Sequence, residues 1–450
     1  MKVQHKNRGC RLEVTPDGQG LISQAGTLLL AEVADRTGLT GALSAGLSGV
    51  RERRSVHDPG RVIRDLALTL AAGGEALTDL GSLRSQEVLF GKVASDSTAF
   101  RVVEQISRDP ELLGEIADAR VKAREHVWGR GTRLERVTVD IDGSLVNSHS
   151  EKEGAAGNFK GGFGFHPMLA FFDETSEAAA AVLRPGNAGA NTACDQIQVA
   201  EAALTQIPGR DHDDGPEVLL RADSAGAVHK LLDWARGNQV LFSVGFDLTA
   251  QVRAAITRIP DQDWIPAENQ DGTPRENGEV AEITELVDLS GWPAGSRVIV
   301  RRERPHPGAQ LSFTDQDGHR FQAILTDQTD TDIAMLERNH RARARVEHQI
   351  ADAKDTGLAN LPFRDFEMNQ VWLEIVTIAH DLLAWTKTLT LQGELAVARP
   401  KRIRNRLLHV AGRLSFHGRQ ARLRLQGDWP WATQLADAFR QLQRLPAPAG

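Results

Sequence analysis

The fold class that the sequence predicts is a mixed α/β sheet, preceded by a helical region and followed by a helical, basic one. Three observations carry this expectation. Val137-Thr138-Val139-Asp140-Ile141-Asp142 alternates and is β-branched, the pattern of a half-buried strand, and further apolar runs follow it. Helix and strand signals then alternate from Asn191 to Val244, the order of a sheet covered by helices. Upstream, Leu28–Val33, Val62–Leu70 and Phe100–Ile106 space their apolar residues as helices do.

Length and composition bound the reading. The 450 residues suffice for a large core and two or three domains. Charged residues at 25% and apolar ones at 41% fit a soluble globular protein. The net charge of −7 decides nothing about nucleic acid, because a basic binding face can sit on an acidic body. Cys10 and Cys194 lie far apart without metal-ligand spacing, as in a reduced cytoplasmic protein. The start, Met1 to Arg8, has no apolar core of a signal peptide, and no run reaches the ~18 apolar residues of a membrane span. A cytoplasmic location with no membrane partner is therefore expected.

Taken in order, the third helical run is preceded by the capping residues Ser95-Asp96-Ser97-Thr98. Short helices of this kind often build DNA-binding modules, and build other things too. The strand from Val137 ends in acid followed by Gly143-Ser144, and the glycine-rich stretch Gly154–Gly164 leads to a second strand, His166–Phe172. That stretch lacks the Gly-Lys-Ser/Thr of a phosphate loop and reads as a flexible connection, with Lys160 free to touch DNA. Ala178–Leu183 predicts a third strand and Asn191–Gln206 a helix. Asp211-His212-Asp213-Asp214, between glycines, reads as a solvated loop. Glu217–Asp223 predicts a strand that again ends in aspartate, with Ser224 capping a helix over Ala225–Arg236 before a strand at Val240–Val244.

Residues 260–328 break the alternation. Pro, Gly and acidic residues punctuate short β-like runs at Ile283–Leu289, Arg297–Arg301 and Arg320–Leu325, which reads as a β-rich insertion carrying Trp264 and Trp292. His340–Lys354 lacks Gly and Pro and is dense in Ala and Arg, so a helix is predicted there. Phe363–Thr386 predicts one or two amphipathic helices, with Trp372 and Trp385 in the core. Arg399, Lys401, Arg402, Arg404, Arg406, Arg413, Arg419, Arg422 and Arg424 then follow with no acid among them, a candidate phosphate-contacting surface.

The chemistry concentrates in the helix His340–Lys354. At about 100° per residue His340, Arg343, Glu347 and Lys354 share one stripe, a single carboxylate between basic neighbours. Alone, such a stripe reads as a solvated face laced by ion pairs. Its company upstream changes that. Two strand-terminal aspartates and one helical glutamate are three hard oxygen donors of the kind that hold a pair of magnesium or manganese ions. Two such ions can activate the attacking oxygen and stabilise the leaving one at phosphorus.

At these residues the sequence resembles the bacterial insertion-sequence transposases with a ribonuclease H-like DDE catalytic domain. Their signature is Tyr, then Arg after two residues, Glu after three more and Lys after six more. His340, Arg343, Glu347 and Lys354 stand at those spacings, with His in place of Tyr in a chain that has no Tyr. The family's first acid is followed by a small residue and Thr or Ser. Asp142-Gly143-Ser144 matches that better than Asp140-Ile141-Asp142, so Asp142 is chosen over Asp140. Leu219-Leu220-Arg221-Ala222-Asp223-Ser224 matches the second acid.

The resemblance implies that Asp142, Asp223 and Glu347 are catalytic and hold two Mg²⁺ or Mn²⁺ ions per active site, while Arg343, Lys354 and His340 contact DNA. It implies a DNA transposase that binds terminal inverted repeats of an insertion sequence and acts by cut-and-paste cleavage and strand transfer. Its partners would be the double-stranded DNA of transposon ends and target, held by a homodimer on paired ends. The implied organisation is a helical N-terminal DNA-binding region over 1–130 and a ribonuclease H-like core over 131–259 and 329–390, the second part carrying the glutamate helix. The β-rich insertion over 260–328 interrupts that core, and a basic C-terminal region takes 391–450. A hydrolytic nuclease of the same superfamily and a non-catalytic DNA-binding regulator of transposition are the alternatives.

Overall fold

A computed structural model describes residues 2–4, 11–50, 56–131, 133–148, 151–305, 315–316, 318–418 and 420–446; Cys10 and Arg419 lie outside them. The leader's apolar spacing gives helices α1 (Thr27–Arg36), α2 (Leu39–Gly46), α3 (Pro59–Ala71), α4 (Asp96–Ser107) and α5 (Pro110–Trp128). Each long one starts where a side chain satisfies a free backbone N–H. Asp58 accepts from Arg61 N at 2.9 Å ahead of Pro59, Ser95 accepts from Thr98 N at 3.3 Å, and Asp109 accepts from Glu111 N at 3.0 Å ahead of Pro110.

The alternating run from Val137 forms β1 (Arg136–Gly143), whose Val137, Val139 and Ile141 enter an apolar core. Thr138, Asp140 and Asp142 therefore take the opposite face. The other strands of the sheet are β2 (Met168–Phe172), β3 (Ala178–Val182), β4 (Glu217–Ala222), β5 (Leu241–Phe246), β6 (Ile265–Glu268), β7 (Pro274–Glu282), β8 (Arg297–Glu303) and β9 (His319–Thr326). Their order is β6-β7-β8-β9-β5-β4-β1-β2-β3, and Asp315–Gln316 beside β9 makes a tenth strand among the described residues. Only β1, β4 and β5 run parallel; every other pairing is antiparallel. Helices α6 (Ala193–Thr205) and α7 (His229–Gly237) cover the apolar face.

The stretch expected as an insertion does not stand apart from the sheet. It extends it, because β9 pairs with β5 from Ser243↔Thr326 to Phe246↔Ala323. Within it Ile283–Leu289 is not a strand, which corrects the sequence reading. Thr284–Leu286 forms a 3₁₀ turn, and Leu286, Val287 and Leu289 reach the core from irregular backbone, so apolar spacing alone misreads them. The strand lies earlier, in the polar run Pro274–Glu282, where main-chain pairing to β8 overrides poor β-propensity.

The helix expected over His340–Lys354 is also divided. α8 (Ile333–Arg341) passes through a 3₁₀ turn at Ala342–Ala344 into α9 (Arg345–Ala353), and Lys354–Leu358 widens into a π turn with Gly357 at φ 107°. A helix over Ala225–Arg236 likewise gives way to a 3₁₀ turn, Ser224–Gly226, before α7 begins at His229; Asp223 rather than Ser224 caps that turn, accepting from Ala225 N at 3.0 Å.

The segment from Phe363 forms one long helix, α10 (Phe366–Thr390), and it is buried nearly all round instead of amphipathic. Leader helices α1, α3, α4 and α5 pack on it from one side and β3 from the other, with Trp372 and Trp385 fully buried. A charged network fixes this packing. Arg124 donates to Glu177 at 2.6 Å, to Gln206 Oε1 at 2.6 Å and to Asp381 at 2.9 Å, while Arg120 donates to Asp381 at 3.0 and 3.1 Å. The second Asp381 oxygen accepts from Ala178 N on β3 at 2.9 Å, and Trp128 and Trp385 both donate to Glu177. α5, the sheet edge and α10 are thereby tied at one point. Strands β10 (Gly412–His417) and β11 (Gln420–Leu425) and helix α11 (Ala432–Gln443) close the chain. Among the described residues no helix is long and apolar enough to cross a membrane.

Candidate active site

The parallel pairing of β1 and β4 sets Arg221 beside Asp140, and the same face of both strands continues two residues further to Asp142 and Asp223. The inner pair is closed off from solvent, with Arg221 also paired to Asp173 at 2.9 Å. Asp140 is fully buried and takes a two-point hydrogen bond from Arg221, Nε to Oδ1 and Nη2 to Oδ2, both at 2.7 Å. Burial pushes the Asp140 carboxyl up to about 6, against the pull of Arg221. The outer pair is open: the Asp142 side chain is 22% exposed, and Asp223 lines a cavity of about 600 Å³.

The turn between α8 and α9 brings the helical residues to this strand end. Side chains three apart eclipse in a 3₁₀ turn, and His340 and Arg343 line the same cavity as Asp223. Arg343 Nη2 stands 3.0 Å from Asp142 Oδ2. Glu347, in the first turn of α9, is exposed. Burial raises the Asp142 carboxyl above its ordinary value; Arg343 pulls it down, and the charges of Asp223 and Glu347 push it up. The charges of the other two sequence-predicted acids therefore reach Asp142.

His340 is held neutral. Burial, then the charges of Arg221 and Arg343, drive its ring down to about 3, and its Nδ1 meets Ser243 Oγ at 2.9 Å. Lys354 stands outside the cavity, in the π turn; burial and then the positive charge of Lys160 lower it. The glycine-rich stretch thus returns Lys160 towards the end of α9. Its tip is preorganised by Asn158 Oδ1, which accepts from Lys160 N and Gly162 N at 3.0 Å.

Sequence reasoning missed three residues here. Asp247 lines the cavity after β5, and its signal was available: Val244-Gly245-Phe246-Asp247 is another strand ending in acid. Arg301 and Glu337, an ion pair at 3.0 Å on the cavity wall, had no local signal because one comes from β8 and the other from α8. Trp264 and Trp292 are engaged inside the protein. Trp264 is 7% exposed with Arg302 4.3 Å above its ring, and Trp292 stacks on His229 at 4.0 Å. Asp211–Asp214 remains a surface turn.

Among the described residues no three ligating side chains already stand at metal-holding separations. The donor set nevertheless suits hard cations: the charges of Asp223 and Glu347 raise the affinity of the Asp142 carboxyl for a proton, so a positive charge is favoured there. Arg343 holds part of that place through its Nη2 contact to Asp142, and its Nε is buried without a hydrogen-bond partner. The residues fit both a cation and a phosphate.

A family model described as transposase DDE domain group 1 matches residues 4–447. No curated protein matches the chain. A solved structure, described as the piggyBac transposase synaptic complex with hairpin DNA, is similar with a TM-score of 0.41 and 9% identity, covering 86% of this chain and 78% of that one.

Proposed function

The chain belongs to the group 1 DDE-domain transposases, and from that premise we propose that it cuts the DNA at the ends of an insertion sequence and joins the freed ends to a target. The observation that carries this reading is the position of Arg343, which lines one cavity with Asp223 and stands 3.0 Å from Asp142 Oδ2, while the charges of Asp223 and Glu347 reach the Asp142 carboxyl. The sheet order β3-β2-β1-β4-β5, antiparallel and then parallel, supports a ribonuclease H-like core over 131–259 and 329–390 with 260–328 inserted. Asp142 is the first acid in this reading, because Arg221 already saturates Asp140.

Asp142, Asp223 and Glu347 would hold two magnesium or manganese ions, whose charge when bound stabilises the attacking and leaving oxygens of an in-line displacement. Arg343 has N–H groups free to take a non-bridging phosphate oxygen once its contact to Asp142 is released. Neutral His340, oriented by Ser243, donates a hydrogen bond from its other nitrogen where the family has a Tyr hydroxyl. Lys354 and Lys160 hold a neighbouring phosphate, whose charge also relieves their mutual repulsion. Water attacks the phosphodiester, the P–O bond to the strand's 3′ oxygen breaks, and that hydroxyl then attacks a second phosphodiester. One P–O bond forms for each that breaks, so neither ATP nor a protein-linked intermediate is required. Binding of inverted repeats by a homodimer on paired ends completes the proposal.

The test is incubation of the full chain in magnesium with a labelled duplex carrying the element's end and a target plasmid. Joined end–target products are expected. Cleavage without joined products would make the protein a hydrolytic nuclease, and end binding without cleavage would make it a regulator.

A further inference from the structure

Among the described residues the basic C-terminal run, Arg402 aside, divides into two groups. Arg399, Lys401 and Arg406 are held by Asp352, Asp355 and Glu394 at 2.7, 2.8 and 3.2 Å. Arg404 is buried and donates to the carbonyls of Ala71 and Leu70, so it braces the leader helix α3. These residues serve the fold. Arg413, Arg422 and Arg424 are exposed and have no carboxylate partner among the described residues.

The second group lies on one face of a two-stranded ribbon. The antiparallel register pairs Arg413 with Arg424, Ser415 with Arg422 and His417 with Gln420, so these six side chains share a face. Leu414 pairs with Leu423 on the other face, and Leu414, Leu423 and Leu425 pack against the main core. The polar face thus carries three guanidinium groups and hydrogen-bonding groups with no acid, and Leu21, paired with Arg413 from the neighbouring short strand, is the aliphatic side chain at its edge. The short strand Leu21–Ile22 pairs only with Gly412 and Arg413, so the ribbon runs on as two strands alone, with Phe416 66% exposed. Arg413 and Arg424 are like charges directly opposite across strands, which destabilises a ribbon, and an anionic partner offsets that repulsion.

We propose that the ribbon Gly412–Leu425 is a second DNA-binding element, which lays its Arg413–Arg422–Arg424 face on the phosphates of a duplex outside the catalytic cavity. The dimensions agree: a two-stranded ribbon enters the ~12 Å major groove, and six residues per strand reach ~20 Å along it. The proposal rests on the transposase reading for the identity of its polyanion, and commits to duplex DNA.

The experiment measures binding of the full chain to a fluorescent random-sequence duplex across a salt series, for wild type, R413Q/R422Q/R424Q and R413K/R422K/R424K. The glutamine variant is expected to flatten the slope of log K against log salt by about 2 to 3, near 0.9 per lost phosphate contact, and to weaken binding at least tenfold at low salt. The lysine variant keeps the charges and should restore the slope, which a folding defect in the ribbon would not predict. Arg440→Gln, which removes an exposed arginine paired with Asp437 on α11, should leave the slope unchanged. A glutamine variant with the wild-type slope overturns the proposal while leaving the transposase reading intact. Failure of the wild-type chain to bind duplex DNA overturns that reading itself.

Discussion

Glu347→Gln is expected to bind duplex DNA as the wild type does and to lose metal-dependent cleavage. Gln keeps the size and hydrogen-bonding capacity of Glu but removes the charge that a hard cation requires. Glu347 is exposed at the start of α9 and has no ion-pair partner among the described residues, so the substitution breaks nothing in the fold. The loss should be at least about a hundredfold, the scale on which a preorganised site suffers when one charge-stabilising group is removed. A secondary effect follows from the coupling at the site: without the Glu347 charge, the Asp142 carboxyl should ionise more readily. Plasmid nicking in magnesium measures the first effect, and nicking at the wild-type rate would refute the role given to Glu347.

The largest effect on stability is expected far from the cavity, at Asp381. Its carboxylate is completely buried, receives both Arg120 and Arg124, and also accepts from the backbone of β3. Asp381→Asn keeps the shape and leaves two buried guanidinium groups facing an uncharged amide. Removing one partner from a buried ion network costs about 3 to 5 kcal/mol, because the remaining charges cannot regain water. Glu177 and Glu374 still neutralise part of that charge and set the lower end of the range. Urea unfolding reads the change; a loss below about 1 kcal/mol would show that the network contributes little beyond packing. Because the network joins α5, β3 and α10, its loss should also loosen the leader helices from the sheet.

How much of this was legible in the sequence depended on whether the signal was local. The strand Val137–Asp142, the capped helix after Ser95 and the alternation from Asn191 to Val244 all declare themselves through side-chain period and end chemistry, and the structure has these elements. The choice of Asp142 over Asp140 rested on Gly143-Ser144 alone. Its physical counterpart, Arg221 closing on Asp140, lies 81 residues away and could not be read locally. The same limit hid the Arg120–Asp381 network, whose partners are 261 residues apart. The helix of the signature was recognisable by composition, but its 3₁₀ turn was not, because Ala and Arg favour a continuous α-helix and tertiary contacts decided otherwise. The basic run looked uniform in sequence; only the pairing of each arginine separated Arg404, which braces the fold, from Arg413, Arg422 and Arg424, which do not.

The central claim is that three carboxylates, distant in sequence, surround a shared pair of divalent cations. Iron-directed hydroxyl-radical cleavage tests it most directly. Fe²⁺ replaces magnesium in the full chain, ascorbate and peroxide are added, and the polypeptide is cut next to wherever the metal sits. The account predicts fragments ending near residues 142, 223 and 347, suppressed by excess magnesium and lost in Asp142→Asn. Cuts confined to other segments, or a pattern unchanged in Asp142→Asn, would contradict it.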